Sequence, residues 1–341
     1  MPNAGPVQLP SRKDPVVRCV VGRWRALAGG SAVRDPDRRT LVACSGGADS
    51  SALVLALATV APAPVVAHVL HDLRPQAEAR ADRDRAAELA RALGLEFVEG
   101  EARVASAGGN AEANARRARE RALAGLALAC GLRFVATGHH ADDQLETVLM
   151  RLLRGAGPRG LSGIRPARAL GGTGLVLVRP MLVATREEAR GLCRRCGWAW
   201  AEDGTNRDES RLRAALRARV LPALASIEPE AAHRVVRAAS VQASAHAALA
   251  ARAGVLLESA RVDGGRVSFV RSALRGEPAA VLGELVVQVH HTVRGGHGLD
   301  RVGERAISSW VRAVRSGEGS PKTLCFGGLR CEVRADLVIF E

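Results

Sequence analysis

Tyrosine is absent from the 341 residues, and Lys13 and Lys322 are the only lysines among 49 basic side chains. Together with abundant alanine, this scarcity reads as the codon drift of a GC-rich genome. No window approaches the ~18 uninterrupted apolar residues that cross a bilayer. The nearest stretch, residues 52–70, is broken by Pro62 and Pro64 and carries His68. The N-terminal MPNAGPVQLPSRKDP has no apolar segment behind a basic start, which excludes a secretory signal and reads as a loose leader. A cytoplasmic protein is the expectation. Seven cysteines, an odd number scattered over a long chain, make no disulfide framework. The one close pair, Cys193 and Cys196, has neither a second such pair nor histidines nearby, so it argues for core packing rather than zinc.

Positive charge is what the chain has in excess. Its net charge is +14 and its pI is near 11.0. Codon drift explains arginine in place of lysine but not the surplus of cations over anions. A polyanionic partner, nucleic acid first, is therefore expected.

Short apolar strands alternate with longer helical stretches through the first two thirds of the sequence. Strand-like segments fall at 39–44, 65–70, 95–100, 132–138 and 174–181, with helical patterns at 49–59, 77–93, 110–130 and 142–155. Such alternation predicts parallel βαβ units and a sheet covered on both faces, with ligands bound beyond the carboxyl ends of the strands. After about residue 227 the pattern becomes amphipathic and helical, and residues 322–340 read as strands joined at Gly327 and Gly328. The expected organisation is a leader and first helix, partly disordered, over 1–35, a catalytic domain over 36–225, and a helical domain ending in short strands over 226–341.

LVACSGGADSSALVLALATV, residues 41–60, places a tight turn between a strand and a helix. Backbone amides at a helix N-terminus attract anions, and Gly46 and Gly47 let the main chain approach one closely. Ser45 and Ser50 add hydroxyl donors. Asp49 would repel a phosphate, unless it holds Mg²⁺ beside the phosphates or caps the helix. The spacing is too short, and lacks the lysine, for the GxxxxGK[ST] phosphate loop. The turn resembles instead the SGGxDS signature of the PP-loop ATP pyrophosphatases, which transfer AMP from ATP to a substrate oxygen and release pyrophosphate.

A second cluster, TGHHADDQLETVLMRLLRGAGPRGLSGI, occupies 137–164. Asp142, Asp143 and Glu146 crowd the first helical turns behind His139 and His140. The group suits holding a cationic amine, binding Mg²⁺, or taking a proton from an attacking ammonium. The glycine-rich run that follows supplies flexible backbone flanked by Arg154, Arg159 and Arg165.

This segment resembles the HHxDDQxET…LLRGxGxxGLxG signature of the tRNA(Ile)-lysidine synthetase family. AHVLHDLR (67–74), AEANARRARERAL (111–123), VRPML (178–182), WAEDGTNRD (200–208) and LRAALRARVLPAL (212–224) are similar to further family elements, in order. The chain departs from the pattern at Asp72, at Glu120, where the family usually has an aromatic, and at Ala214, where it has asparagine. The fold implied is α/β, a parallel-sheet PP-loop (adenine nucleotide alpha hydrolase-like) domain with a smaller, mostly helical C-terminal domain that binds tRNA.

The reaction implied uses ATP and Mg²⁺. The C2 oxygen of the wobble cytidine in a CAU-anticodon tRNA(Ile) attacks the α-phosphorus, and the ε-amine of free L-lysine then displaces AMP. The resemblance implies that Ser45, Gly46, Gly47, Ala48, Asp49 and Ser50 bind ATP, with Asp49 as the Mg²⁺ ligand. Asp143, Glu146 and Arg116 would bind lysine. Asp49, His139, Asp143, Glu146 and Arg119 would carry the catalysis. Arg154, Arg159, Arg213 and Arg217 would meet the tRNA. No membrane partner is expected, and a homodimer is an assembly the sequence leaves open. A sister enzyme that thiolates a tRNA base would need a cysteine pair before the HHxDD segment, where residues 100–138 hold only Cys130. A non-catalytic RNA-binding relative would have lost the turn or the acidic cluster, and both are intact.

Overall fold

Val42, Val66, Ala136 and Val178 point to one side of a parallel sheet, and Leu41, Val65, Val135 and Leu177 point to the other. All eight are buried. Successive side chains of a strand face opposite ways, so continuous apolar runs fit only strands covered on both faces. The computed structural model describes residues 7–71, 76–102, 111–201, 212–295, 302–316 and 321–341. Within it the chain divides into two compact units, Met1–Ser240 and Val241–Glu341.

The first unit opens with α1 (Pro15–Leu27). Asp14 caps it by accepting from the Val16 and Val17 amides at 2.9 and 3.3 Å, and Pro15 occupies its first position. Val16, Val17, Val20, Val21 and Trp24 form its buried stripe. The Trp24 Nε1–H donates to Thr40 Oγ1 at 2.9 Å. The segment before residue 36 thus contributes a helix to the core of the first unit.

β1 (Thr40–Ala43), α2 (Ala48–Leu57), β2 (Val65–His71), α3 (Gln76–Ala92), β3 (Phe97–Ala102), α4 (Ala111–Ala129) and β4 (Phe134–Ala136) follow in strict alternation. Next come α5 (Ala141–Leu152), the one-turn α6 (Pro158–Leu161), β5 (Ala167–Ala169), β6 (Val176–Val178) and α7 (Arg186–Arg195). The sheet order is β3-β2-β1-β4-β6-β5, parallel except for β5, which pairs antiparallel with β6 at the edge. β1 therefore lies between β2 and β4, in register Val42 with Val66 and Val42 with Ala136. That is the point where the winding reverses, and in open α/β sheets ligands bind at the strand ends there. The short β5 escaped the sequence reading because Ala167–Ala169, with Arg168 at its centre, offers no apolar run.

α1, α2 and α7 pack on one face with residues from α3, while α4 covers the other. α2 is apolar all round, with Ala52–Leu57 no more than 1% exposed, as befits a helix buried at the centre of a layer. α8 (Leu212–Ala215), α9 (Leu221–Ile227) and α10 (Ala231–Glu258) complete the helices. Leu221 and Ala232 belong to a small apolar cluster with Ala141 and Leu145, and it supports α5 from outside the sheet. The division between the units falls within α10, beyond the boundary near 225 that the change of sequence texture suggested.

In the second unit, β7 (Arg261–Asp263) and β8 (Arg266–Val270) precede α11 (Arg271–Arg275), α12 (Ala279–Arg294) and α13 (Glu304–Arg315). β9 (Lys322–Phe326), β10 (Leu329–Val333) and β11 (Leu337–Phe340) close the chain. The five strands form an antiparallel sheet, β7-β8-β11-β10-β9, and the hairpin expected at Gly327 and Gly328 pairs Phe326 with Leu329. Three of the five phenylalanines share this core with Trp310, which stands edge-on to Phe326 at 6.3 Å. Arg271, 3% exposed, donates to the carbonyls of Ala313, Val314, Arg334 and Ser316 and ties the strands to α13. Among the described residues no helix is long and apolar enough to cross a membrane.

Removing the Trp24 ring should cost about 3–5 kcal/mol, the usual range for emptying a large aromatic site. Urea unfolding of Trp24→Ala, followed by far-ultraviolet circular dichroism, measures it, and a loss below about 1 kcal/mol would show that α1 is peripheral to the core.

Candidate active site

The reversal of winding brings both sequence clusters to one crevice. The turn after β1 supplies Ser45 to Ser50, and the turn after β4 supplies Thr137 to Glu146. Between them lies a cleft of about 810 Å³ whose lining includes Ser45, Gly47, Asp49, His68, Arg119, His139, Asp143 and Arg213.

Gly46 takes φ +83°, and a Cβ there would lie 2.7 Å from the Asp82 carbonyl oxygen of α3. Only glycine meets both conditions. A Cβ on Gly138 would lie 3.0 Å from the Asp49 and Ser50 backbone, so the β4 turn presses directly on the first turn of α2. Ser50 Oγ accepts from the Ser45 amide at 3.1 Å and donates to the Gly47 carbonyl at 3.1 Å, which holds the turn closed from within. His68 is fixed beneath it by a 2.8 Å contact between Nδ1 and the Cys44 carbonyl.

Side chains cap α1, α5 and α7, but none caps α2. Its N-cap is Gly47, and its first amides lie at the cleft with no side-chain cap to accept from them, as an anion site requires. Asp49 is in the first turn of the helix, so it does not serve as the cap. Its Oδ1 is buried without a hydrogen-bond partner, and its Oδ2 is 3.4 Å from His140 Nε2. One unsatisfied carboxylate oxygen beside an anion-seeking turn fits a Mg²⁺ held jointly with substrate phosphates, since that ion commonly takes only one or two protein carboxylates. No group of three or more acidic, histidine or cysteine side chains among the described residues forms a metal cage.

The two adjacent histidines are driven to opposite charge states. His140 Nε2 also stands 3.5 Å from Asp143 Oδ2, and Nδ1 stands 3.4 Å from Asp142 Oδ2. Burial alone would lower its pKa, but hydrogen bonds to Asp142 and Asp49 and the Asp143 charge raise it to about 10. His139 is pushed down to about 3 by burial first and then by the Arg179 charge, against the pull of Asp143. Its Nδ1 meets Thr137 Oγ1 at 3.0 Å. A neutral, weakly basic imidazole can orient a partner through hydrogen bonds but is ill suited to storing a proton. Asp142 supports the fold, because its Oδ2 accepts from the Arg186 amide at 2.7 Å and ties the start of α5 to the start of α7.

The sequence reading assigned Asp143 and Glu146 to an amine and Arg213 and Arg217 to RNA. The structure brings all four together. Glu146 is fully buried and accepts from Arg213 Nε at 2.9 Å and from Arg217 Nε. Asp143 Oδ1 lies 3.2 Å from Arg217 Nη2 and 3.5 Å from Arg213 Nη2. Arg217 sits in a π-helical turn, Leu216–Val220, a widened geometry that often marks functional positions.

The glycine-rich run is also differently built than expected. Arg151 Nη1 donates to the Gly160 and Gly163 carbonyls at 2.8 and 2.9 Å. Gln144 Oε1 accepts from the Ile164 amide at 2.6 Å, and Arg179 Nη1 donates to the Arg165 carbonyl at 2.6 Å. Three polar side chains thus pin the loop through its backbone, while Arg154, Arg159 and Arg165 remain exposed. Gln144, Arg151 and Arg179 were missed as site-building residues. Their place inside or beside the quoted motifs was the available signal.

Arg116 and Arg119 project from α4, Arg119 into the cleft and Arg116 onto Glu120 at 3.1 Å. Cys193 and Cys196 are buried, and burial raises the Cys193 thiol to about 12, far from a sulfur-transfer thiolate. Cys193 Sγ instead approaches the Ala48 carbonyl at 3.4 Å, as core packing predicts. Asp72, Arg74 and the stretch 202–208 of the WAEDGTNRD element lie outside the described residues.

Residues 26–224 match the model of a PP-loop domain family. The chain is 44% identical to the tRNA(Ile)-lysidine synthase of Salinispora tropica over 66% of its own length and 68% of that protein's. It is 38% identical to the enzyme of the same name from Methylobacterium nodulans over 87% of its length and 86% of the relative's. The chain belongs to the tRNA(Ile)-lysidine synthase family. Among solved structures, the U34-tRNA thiolase NcsA from Methanococcus maripaludis shares the fold with a TM-score of 0.54 at 15% identity, over 67% of this chain and 80% of that one. The departures from the family pattern at Glu120 and Ala214 stand on α4 and α8.

Gly46→Ala should abolish measurable nucleotide binding and lower thermal stability, since it adds both backbone strain and a clash. Retained binding in a nucleotide titration would refute the close-packed turn. The raised pKa of His140 sets a pH window. Its stabilising contribution is complete below the ordinary histidine value of about 6.5, declines as pH rises, and is gone above about 10. The stability advantage of the wild type over His140→Gln in denaturant unfolding should follow that course, and an advantage that grows with pH would overturn it.

Proposed function

We propose that this protein ligates free lysine to C2 of the wobble cytidine in a CAU-anticodon tRNA(Ile), consuming ATP. The observation that carries the reading is the junction of the two turns. The uncapped, anion-seeking start of α2 and the amine-suited carboxylates of α5 meet across Asp49 and His140, 3.4 Å apart. One activates an oxygen by adenylation, and the other presents a nitrogen nucleophile to the activated carbon.

In the first step the cytidine C2 oxygen attacks the α-phosphorus, forming a P–O bond as the bond to pyrophosphate breaks. Ser45 and the amides of 47–49 hold the leaving phosphates, and Ser50 braces the ATP-binding turn from within. Mg²⁺, held with Asp49, would supply charge neutralisation for the departing pyrophosphate. Arg119 faces the same space. In the second step the lysine ε-amine attacks C2, AMP leaves with the oxygen, and a proton departs from nitrogen. A carbonyl oxygen leaves poorly until adenylated, so the order of steps is chemically fixed. The product pairs with A in place of G and changes codon reading from AUG to AUA.

Asp143 and Glu146 receive the lysine ammonium in this reading, while neutral His139 orients it. Arg213 and Arg217 are paired with those carboxylates, so amine binding exchanges one cation for another. The exchange limits desolvation cost, because the acids never stand buried and unpaired. Arg154 and Arg159 beside the pinned loop offer exposed cations for tRNA phosphates, with salt-dependent affinity. The smaller unit takes part in tRNA binding, and the location is cytoplasmic, where tRNA and ATP are found together.

The test is incorporation of radiolabelled lysine into CAU isoleucine transcript beside a CAU methionine transcript, with ATP and Mg²⁺. Label should enter only the isoleucine tRNA and vanish with Asp49→Ala. Glu146→Gln should cut lysine transfer by about a hundredfold while tRNA-dependent pyrophosphate release persists, separating the two steps. Pyrophosphate release with another substrate, and no lysine label, would sink the lysidine assignment while leaving the ATP chemistry standing.

A further inference from the structure

A second cavity, of about 370 Å³, lies between α1 and the segment that follows α2. Arg18, Gly22 and Arg25 fall at helical spacings of four and three, so they share one face of α1, and all three line it. Val17 and Val21, from the edge of the buried stripe, and Val60 supply its apolar wall. Residues 59–61 lead from the end of α2 back to the start of β2, at the amino edge of the sheet. The cleft with the phosphate turn is at the carboxyl edge, the length of α2 away, about 15 Å. The two cavities share no lining residue.

Arg12 Nε donates to the Thr59 carbonyl at 2.7 Å, which fixes that guanidinium at the cavity. Arg25 binds Asp35 through Nε and Nη2, and Asp35 also accepts from Arg38, so this carboxylate already holds two cations. Among the described residues neither Arg12 nor Arg18 forms an ion pair. Three guanidiniums and one carboxylate line the cavity, a surplus of two positive charges. A glycine inside a helix costs stability and is justified where something must approach the backbone closely. The fold supplies nothing that does: a Cβ on Gly22 would meet no atom within 4 Å. Arg18 stands one turn before this open space and Arg25 nearly one turn after it.

A phosphomonoester carries about two negative charges near neutral pH and three acceptor oxygens, which matches both the surplus and the donor forks of arginine. An RNA phosphodiester carries a single charge, and its strand would have to enter a cavity rather than lie along an open row of cations. The volume lies near the lower end of small-molecule sites. We propose that the cavity between α1 and the α2–β2 connection is a second ligand site, which binds a small organic phosphomonoester. Arg12, Arg18 and Arg25 hold the phosphate, and the body of the ligand lies over Gly22 against the valines. The site is separate from the lysine chemistry and does not depend on it.

The test is calorimetric titration of the full-length protein with ribose 5-phosphate, ribose and inorganic phosphate. The wild type should bind ribose 5-phosphate about tenfold or more tightly than phosphate, and ribose not measurably. Gly22→Leu puts a side chain into the cavity at an ordinary helical position, and Arg18→Gln removes one charge. Each should weaken ribose 5-phosphate by about tenfold or more while ATP binding with Mg²⁺ is unchanged. The thermal midpoint of Gly22→Leu should not fall, since leucine is the better helix former, and if it does fall the exposed Arg18→Gln decides alone. Absence of binding to the wild type overturns the proposal, as does binding that survives both variants, which would place the ligand in the cleft. Phosphate bound as tightly as ribose 5-phosphate would leave an adventitious anion seat only. A tRNA dissociation constant weakened by Arg18→Gln, with no ribose 5-phosphate bound by the wild type, would assign the arginines to RNA and likewise overturn it.

Discussion

A single imidazolium joins the parts of the site that come from different places in the chain. His140 stands within 3.5 Å of carboxylate oxygens of Asp49, Asp142 and Asp143, which belong to two helices on neighbouring strands at the reversal of winding. Without its charge, three acids would face one another in a poorly solvated crevice and repel. With it, the phosphate turn, the acidic helix and, through Asp142, the start of α7 are held as one body. The neighbouring His139 is left uncharged by burial and by the arginines behind it. Two identical residues in sequence thereby acquire different chemistry from what surrounds them.

Arginine does more than bear surface charge here. Arg151, Arg179 and Arg271 each donate to backbone carbonyls of loops or of the last turns of helices. A guanidinium has five donors in a fixed plane, so one side chain can satisfy carbonyls from separate segments, as lysine's compact ammonium does less well. The compositional bias toward arginine has been absorbed into the architecture. Part of the positive excess read as an RNA signal is committed inside the fold or to Glu146 and Asp143.

The layered sheet and the phosphate turn were legible from residue order alone, because both depend on local pattern: apolar runs of strand length, helices of matching spacing, and glycines where a strand gives way to a helix. The helix of residues 142–155 and the hairpin at Gly327 and Gly328 were legible for the same reason. What escaped depends on contacts between residues far apart in sequence. Arg213 and Arg217 lie 67 and 74 positions from their partners Glu146 and Asp143, and nothing local distinguishes an arginine that meets RNA from one that meets a buried acid. The opposite protonation of His139 and His140 is likewise a property of the surrounding charges. The glycine-rich run read as flexible because its restraints, Gln144, Arg151 and Arg179, act through contacts that only the folded chain creates.

The scarcity of aromatic residues has an optical consequence. With no tyrosine, near-ultraviolet-excited emission from the protein comes essentially from tryptophan. Trp24, Trp198 and Trp200 belong to the first unit, and Trp310 stands by itself in the second, fully buried against Phe326 and Phe340. The spectrum therefore divides along the same line as the fold. The smaller unit carries one built-in chromophore at its centre, whose colour and lifetime report its integrity independently of the catalytic half.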